Sequence, residues 1–308
     1  MKGDRILVTG AGGFLGRHLC HRLRTTGAEV HAVSRQAAPA TGDAHRWWPA
    51  DVANEDEARE LVRAVKPDVI VHLGALTHAA PDLGLVLPTF HSVLASTVNV
   101  LTTVVEQGCR RVVLAGSIEE PTGSGPDITP ASPYAAAKWA VTAYGRMFHA
   151  LYGTPVVVAR FSLTYGPGQA ERKVIPYTIR SLLRGEPPRV SNGTRLWDFL
   201  YVEDAVEALL RLVEGRWPDG AAVDIGSGRM ETLRSVIERL VQMIDPAVVP
   251  AFGSVADRPF TDGRAADAAA TEKVIGWRAT TSLEQGLQRT IDWYRRHTAS
   301  DSESGVAA

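Results

Sequence analysis

Cysteine is nearly absent: 308 residues hold two, Cys20 and Cys109, far apart and in no C-x-x-C. That scarcity argues against a thiolate metal or redox motif and casts both as small buried apolar residues. The nine histidines show no H-E-x-x-H and no paired metal spacing, so no metal site is expected. Charge of one sign is lacking as well. Lys plus Arg number 33 and Asp plus Glu 34, a net charge of −1. Neither nucleic acid nor a membrane surface is implied as a partner, and any anionic ligand must be held by local groups. No apolar run is read as long enough to span a bilayer. The opening Met1-Lys2-Gly3-Asp4-Arg5 runs straight into a strand, with no room for a signal peptide, so a cytoplasmic location is expected. With 45% hydrophobic and 22% charged residues, the chain is ordinary in composition and long enough for one large or two intertwined domains.

What is present begins with Thr9-Gly10-Ala11-Gly12-Gly13-Phe14-Leu15-Gly16. It follows the β-branched run Ile6-Leu7-Val8 and opens a helical pattern (His18, Leu19, Leu23). Strand, glycine turn and helix together build a dinucleotide phosphate site. Gly10 permits the tight turn, Gly13 lets backbone approach a pyrophosphate, and Gly16 lets helix pack on strand. The helix start offers free N–H groups and a partial positive charge, with Phe14 and Leu15 beside the ligand.

Glu29–Arg35 reads as the next strand, and its end selects the dinucleotide. An acidic residue about 20 positions beyond the glycines would hold a ribose 2′-hydroxyl; here Ser34-Arg35 stand there, and Glu29 lies at the wrong end. A hydroxyl and a guanidinium suit a 2′-phosphate, so NADP(H) is expected before NAD. Arg17, in the first helical turn, is placed to add to that pocket. Asp51-Val52 ends a strand-like segment where a carboxylate could accept from the adenine amino group. A helix Glu55–Val65 stops at Lys66-Pro67, and Val69–Leu73 reads as a buried parallel strand in which His72 is a satisfied core histidine. Gly74-Ala75 lets backbone approach the cofactor. Thr77–Thr89 reads as a loop beside the active site, and Ser92–Gln107 as a helix with Asn99 inside it.

Arg111–Ala115 is the next strand, and Ser117 lies just past it, where ligands bind in open α/β sheets. Ser132-Pro133-Tyr134-Ala135-Ala136-Ala137-Lys138 then opens a helix. Tyr134 and Lys138, four apart, share one face. A nearby ammonium favours the phenolate and would bring the phenol into a useful range for acid–base work.

With these residues in hand, the chain resembles the extended short-chain dehydrogenases/reductases, in the branch that modifies nucleotide sugars. The marks are Thr9-Gly10-x-x-Gly13-x-x-Gly16, Asp51-Val52, His72–Ala75, Asn99, Ser117, Tyr134-x-x-x-Lys138, Tyr165-Gly166-Pro167-Gly168 and Asp198–Asp204. Arg258, Asp267, Gly276-Trp277 and Trp293-Tyr294 also fit, so the likeness runs from Arg5 to Arg296. The resemblance implies an α/β fold, a Rossmann-type doubly wound parallel sheet with a smaller C-terminal α/β substrate domain. It divides the chain into a dinucleotide domain at 1–161, rejoined by 193–226, a substrate domain at 162–192 and 227–298, and a disordered tail at 299–308. It implies a homodimer joined through the Asn99 and Tyr134 helices. It makes Tyr134 the proton donor or acceptor, with Ser117 on the reacting oxygen. Lys138 would bind the nicotinamide ribose, Asn99 would support the network, and Leu73, Ala75 and Phe161 would line the cofactor. Thr77, Glu119, Leu163, Val174, Arg195, Trp197 and Arg258 would line the substrate.

Three departures stand out. Leu163 replaces the asparagine often found before Tyr-Gly-Pro, Trp197 replaces the arginine before Asp-Phe, and Ser34-Arg35 replace the NAD-selecting acid. Arg172, Lys173, Arg195 and Arg258 remain as partners for a diphosphate, Arg258 foremost. Three functions follow. The first is NADPH-dependent reduction of a keto group, at C4, of a nucleotide-linked 4-keto-6-deoxyhexose. The second is a redox-neutral, NAD-dependent 4-epimerase, ahead of a 4,6-dehydratase because Ile118 precedes Glu119 where dehydratases carry an Asp-Glu pair. The third, a non-catalytic dinucleotide-binding protein, would usually have lost the tyrosine or the lysine.

Overall fold

In the computed structural model, which describes residues 1–35, 42–122, 128–215, 217–257 and 263–303, the glycine turn lies at the centre of a seven-stranded sheet. Its strands are β1 (Arg5–Thr9), β2 (Glu29–Ser34), β3 (Arg46–Pro49), β4 (Val69–His72), β5 (Arg111–Ser117), β6 (Val156–Phe161) and, after the small-domain strands introduced below, β10 (Ala222–Ile225). They pair in the order β10-β6-β5-β4-β1-β2-β3, all parallel. The chain winds outward from β1 to β3, then restarts at β4 on the other side of β1. That reversal leaves a crevice between the carboxyl ends of β1 and β4, the place where such sheets take ligands.

The near-continuous apolar strands follow from burial on both faces. Alternate residues serve different layers. Ile6, Val8, Val69, Val71, Val113 and Val157 pack under α1 (Phe14–Arg24) and α7 (Val202–Glu214). Leu7, Ile70, Val112, Leu114, Val156 and Val158 pack under α2 (Glu55–Val65), α4 (Ser96–Gln107) and α5 (Pro133–Tyr152).

The smaller unit holds β7 (Leu163–Tyr165), β9 (Leu196–Tyr201) and β11 (Met230–Thr232) in one sheet, and β8 (Arg189–Val190) with β12 (Ala251–Phe252) in another. Its core joins Tyr165, Ile179, Phe199, Leu240 and Ile291 from those strands, α6 (Val174–Leu183), α8 (Leu233–Ile244) and α10 (Leu283–Glu303). Two expectations change here. Of the segment 193–226, α7 and β10 rejoin the large sheet, whereas β9 pairs with β7 and β11. The helix α10 also continues to Glu303, into the segment expected to lack order.

The stretch Thr77–Thr89 is not a loop throughout. Helical turns start at Leu83, pass through α3 (Val86–Thr89) and a π-helical segment Phe90–Ala95, and continue into α4. Pro88 is accommodated because it falls near the start of this run, where its missing N–H matters least. The whole stretch Leu83–Gln107 is long and apolar enough, by length and composition, to cross a bilayer, which the sequence reading did not anticipate. Interspersed Ser, Thr and Pro hide the run by eye. In the fold it packs against α2 and α5.

Candidate active site

The β1–α1 turn is shaped by what it leaves out. Gly10 has φ +68°, and a Cβ there would lie 2.6 Å from the Gly74 nitrogen. At Gly16 a Cβ would lie 2.3 Å from the Gly10 carbonyl oxygen, and at Gly13 3.1 Å from the same atom. The three glycines therefore fold the turn back on itself and against the Leu73-Gly74 backbone. The helix α1 starts at N-cap Gly13 with no side-chain cap and no acidic residue in its first turn. By contrast α2 carries Asn54 on two backbone N–H groups and three acids in its first turn. The bare start of α1 leaves its N–H groups and dipole for an anion, so these residues fit a dinucleotide diphosphate.

Around the crevice, the Thr9 hydroxyl meets His72 Nδ1 at 2.7 Å and accepts the Gly74 N–H at 3.3 Å, while His72 Nε2 meets the Ser96 hydroxyl at 3.2 Å. Burial and the Lys138 charge push His72 down to about 3. It is a neutral core histidine, as expected. At the end of β2, Ser34 is half-buried against Gly12 and Arg35 is exposed. Asp51 accepts the Ala53 N–H at 3.0 Å. Asn99 does not reach back into the acid–base group by any hydrogen bond described. Its amide donates to the carbonyls of Val52 and Ala53, at 3.2 and 2.9 Å, and pins the loop after β3. Asn99→Ala is expected to remove about 1–3 kcal/mol of stability, read as a lower Tm, with a matching rise in the Kd for the dinucleotide.

Ser117 ends β5 and Tyr134 and Lys138 lie on α5, which starts cleanly because the Ser132 hydroxyl accepts the Ala135 N–H and Pro133 fits the first turn. The Ser117 hydroxyl accepts the Glu119 N–H at 3.1 Å and stands near enough to the Tyr134 phenol to favour its charged form. The buried Lys138 ammonium donates to the Ala115 carbonyl at 2.6 Å and stands 5.8 Å from the Tyr134 ring centre. Burial brings Lys138 down to about 8. Tyr134 departs from the expectation: although its side chain is partly exposed, desolvation of the phenol and then the Glu119 charge push it well up. In this arrangement it is a phenol, a proton donor, because the lysine is engaged with a carbonyl and two carboxylates lie near.

On the substrate side, Thr77 is exposed and its carbonyl accepts from Lys173 at 2.7 Å, so that lysine ties the loop after β4 to the start of α6. Leu163 opens β7 opposite Phe199, and Val174 opens α6. Trp197 pairs with Glu231 across β9 and β11. Arg195 precedes β9, and its Nη1 is buried without a hydrogen-bond partner among the described residues, which suits an anion. Phe161 closes β6 in register with Ser117. Arg258 lies outside the described residues.

The partners of several buried carboxylates escaped sequence reading. The Asp198 carboxylate, fully buried, accepts from the Ser227 and Gly228 N–H groups, the Ser227 hydroxyl and the Ala266 N–H at 2.7–3.0 Å. Asp224 is held low by Arg264 and Arg160 despite its burial. Glu120, 4% exposed, accepts the Ser117 N–H at 2.8 Å and the Thr142 hydroxyl at 2.7 Å. Thr142 stands two turns beyond Tyr134 on the same helix face, a spacing visible in the sequence; nothing there marked Glu120 as its partner.

A parallel sheet with a glycine turn at its switch point, and a Ser, Tyr and Lys gathered beside that point, define an extended short-chain dehydrogenase/reductase. The chain belongs to the NAD dependent epimerase/dehydratase family, whose model matches residues 6–226. It is 31% identical to a probable dTDP-glucose 4,6-dehydratase of Sinorhizobium fredii, over 94% of this chain and 92% of that one. It is similar to MoeE5 in complex with UDP-glucuronic acid and NAD, at 31% identity and TM-score 0.85, covering 96% of this chain and 100% of that one. The UDP-glucose 4-epimerase of Thermotoga maritima shares the fold, with TM-score 0.87 at 23% identity over 96% of this chain and 99% of that one.

Proposed function

We propose that this protein transfers hydride and a proton at C4 of a nucleotide-linked hexose, as a redox-neutral 4-epimerase. The observation that carries the reading is the Ser117–Tyr134–Lys138 group beside the bare start of α1. MoeE5, at 31% identity, was crystallised with UDP-glucose and NAD, which supports a nucleotide sugar and a dinucleotide here. A nicotinamide dinucleotide whose diphosphate is held by the glycine turn would supply the hydride chemistry. Ser117 would hold the C4 oxygen; Tyr134 would first release its own proton to solvent, with the Lys138 ammonium stabilising the phenolate, then take the C4 hydroxyl proton as that carbon is oxidised and return it on reduction. The unpartnered Arg195 nitrogen would meet the diphosphate.

A 4,6-dehydratase is disfavoured by the turn after β5. Ile118 stands before Glu119, and Glu120 already accepts from Ser117 and Thr142. A second reading, reduction of a 4-keto-6-deoxyhexose by NADPH, is favoured by the end of β2, where Ser34 and exposed Arg35 stand in place of a carboxylate. Arg35→Ala separates the cofactors: NADPH is expected to weaken roughly 10–100-fold, the value of a charge-assisted contact to phosphate, with NADH unchanged. Equal weakening of both would remove the phosphate pocket.

The deciding experiment incubates the protein with UDP-glucose, UDP-glucuronic acid and dTDP-glucose and follows the sugars by NMR. A C4 epimer, with no net change in nicotinamide absorbance, is expected. A 4-keto-6-deoxy product would instead mark a dehydratase, and NADPH consumption on a 4-keto-6-deoxy nucleotide sugar would mark the reductase. The same reading takes the chain as a homodimer packed through α4 and α5, whose Val105, Trp139 and Tyr144 are exposed; a monomeric mass in light scattering would overturn it.

A further inference from the structure

Gly116 precedes Ser117 because nothing larger fits: a Cβ there would lie 2.7 Å from a Glu120 carboxylate oxygen. That carboxylate turns inward rather than to solvent. One oxygen takes the Ser117 N–H from the end of β5, and the other takes the Thr142 hydroxyl from α5. Tyr134, Lys138 and Thr142 follow one another at four-residue spacing, so they form a single ridge of the helix. Glu120 thus fastens the strand end that presents Ser117 to the ridge that presents Tyr134 and Lys138. The Lys138–Ala115 hydrogen bond also joins α5 to β5, but the Glu120 clamp is the one that holds the backbone of Ser117 itself.

The carboxylate also carries charge into a buried place. Removing a carboxylate this enclosed from water is unfavourable and raises its proton affinity, opposed by the Ser117 and Thr142 hydrogen bonds and by the Arg160 and Lys138 charges. In turn it favours the charged form of Lys138, against burial. The other titratable groups facing this pair are His72 on β4, neutral; Arg160 on β6, paired with Asp224; and Glu119 and Tyr134 themselves.

We propose that Glu120 is the positioning residue of the acid–base group, clamping Ser117 to the Tyr134–Lys138 face of α5 and holding Lys138 as an ammonium by its buried negative charge. The proposal rests on the acid–base reading of that group. Its test does not need turnover. Lysine Nζ is labelled with nitrogen-15 in the full-length protein, Lys138 is assigned with Lys138→Met, and the signal is titrated. Lys138 is expected to titrate near 8 in the parent protein. In Glu120→Gln, which keeps the shape and loses the charge, the midpoint is expected about one pH unit lower, a tenfold shift.

The sign is fixed by the charge: with the carboxylate gone, the ammonium is lost at lower pH. Any alkaline loss of activity should move down with it. The clamp is read separately. Thr142→Val should lower kcat about tenfold at constant KM, the value of one buried hydrogen bond to a charged group. Thr142→Ser, which keeps the hydroxyl, should restore it. An unmoved Lys138 midpoint in a folded Glu120→Gln protein overturns the proposal, whether or not activity has been found. A moved midpoint in a protein inactive on every nucleotide sugar would keep it and sink the functional reading instead.

Discussion

Tyr134→Phe is expected to lower kcat about 10²–10⁴-fold, the usual contribution of a positioned acid–base group, while the Kd for the dinucleotide stays within about twofold. The asymmetry follows from geometry. The phenol lies near Ser117 at the carboxyl end of β5, whereas the proposed diphosphate contacts lie at the glycine turn and the start of α1. Phenylalanine keeps the ring on α5 and removes one oxygen. Steady-state rates with isothermal titration of the dinucleotide make the test; normal turnover in the variant would show that another group moves the proton. Because burial and Glu119 push the phenol up, the tyrosine is a donor at rest. Its service as a base then depends on the Lys138 ammonium, so activity should fall on the alkaline side as Lys138 titrates near 8.

Gly10→Ala should be the most damaging single change in the turn. A methyl group would be forced within 2.6–2.8 Å of the Leu73-Gly74 backbone, at a position whose φ of +68° already disfavours any side chain. Left-handed strain of about 1–3 kcal/mol and overpacking of a similar size together predict a loss of roughly 2–6 kcal/mol, or a Tm lower by about 5–15 °C. Dinucleotide binding should fall with it, since the turn cannot both admit the methyl and keep the diphosphate cradle. The neighbour cannot yield easily: Gly74 is itself held by the Thr9 hydroxyl, which is bonded to His72. Calorimetry and binding isotherms on Gly10→Ala check this. A wild-type Tm would mean that β1 and β4 do not approach so closely at their ends.

Much of the site was legible because its residues come in short, spaced motifs. The glycine turn, the end of β2, Ser117 and the Tyr134–Lys138 pair lie at the strand ends and on the helix face that their spacing indicates, since strand and helix geometry fixes where residues a few positions apart must point. The sheet strands showed as apolar runs because both of their faces are covered. Helix α2 showed through its stop at Lys66-Pro67, and its cap Asn54 emerged only in the structure. The beginning of the long helical stretch was missed because two prolines, Pro81 and Pro88, argued for a loop, and packing on α2 and α5 outweighed that local signal.

What the sequence by itself determined, then, was the layered α/β class, the glycine turn after β1 and the Tyr134–Lys138 pair on one helix face, all of them consequences of local periodicity. Only the tertiary structure decided that Asn99 holds the Val52–Ala53 carbonyls, that Lys173 reaches the Thr77 carbonyl, and that β9 pairs with β7 rather than with the large sheet. It alone decided, too, that Lys138 rests on the Ala115 carbonyl and that Glu120 turns inward to Ser117 and Thr142. Apart from the three-residue contact of Glu120 with Ser117, those outcomes depend on groups 22 to 96 residues apart meeting in the fold, where hydrogen-bond partners and proton affinities are set by neighbours that no local pattern names.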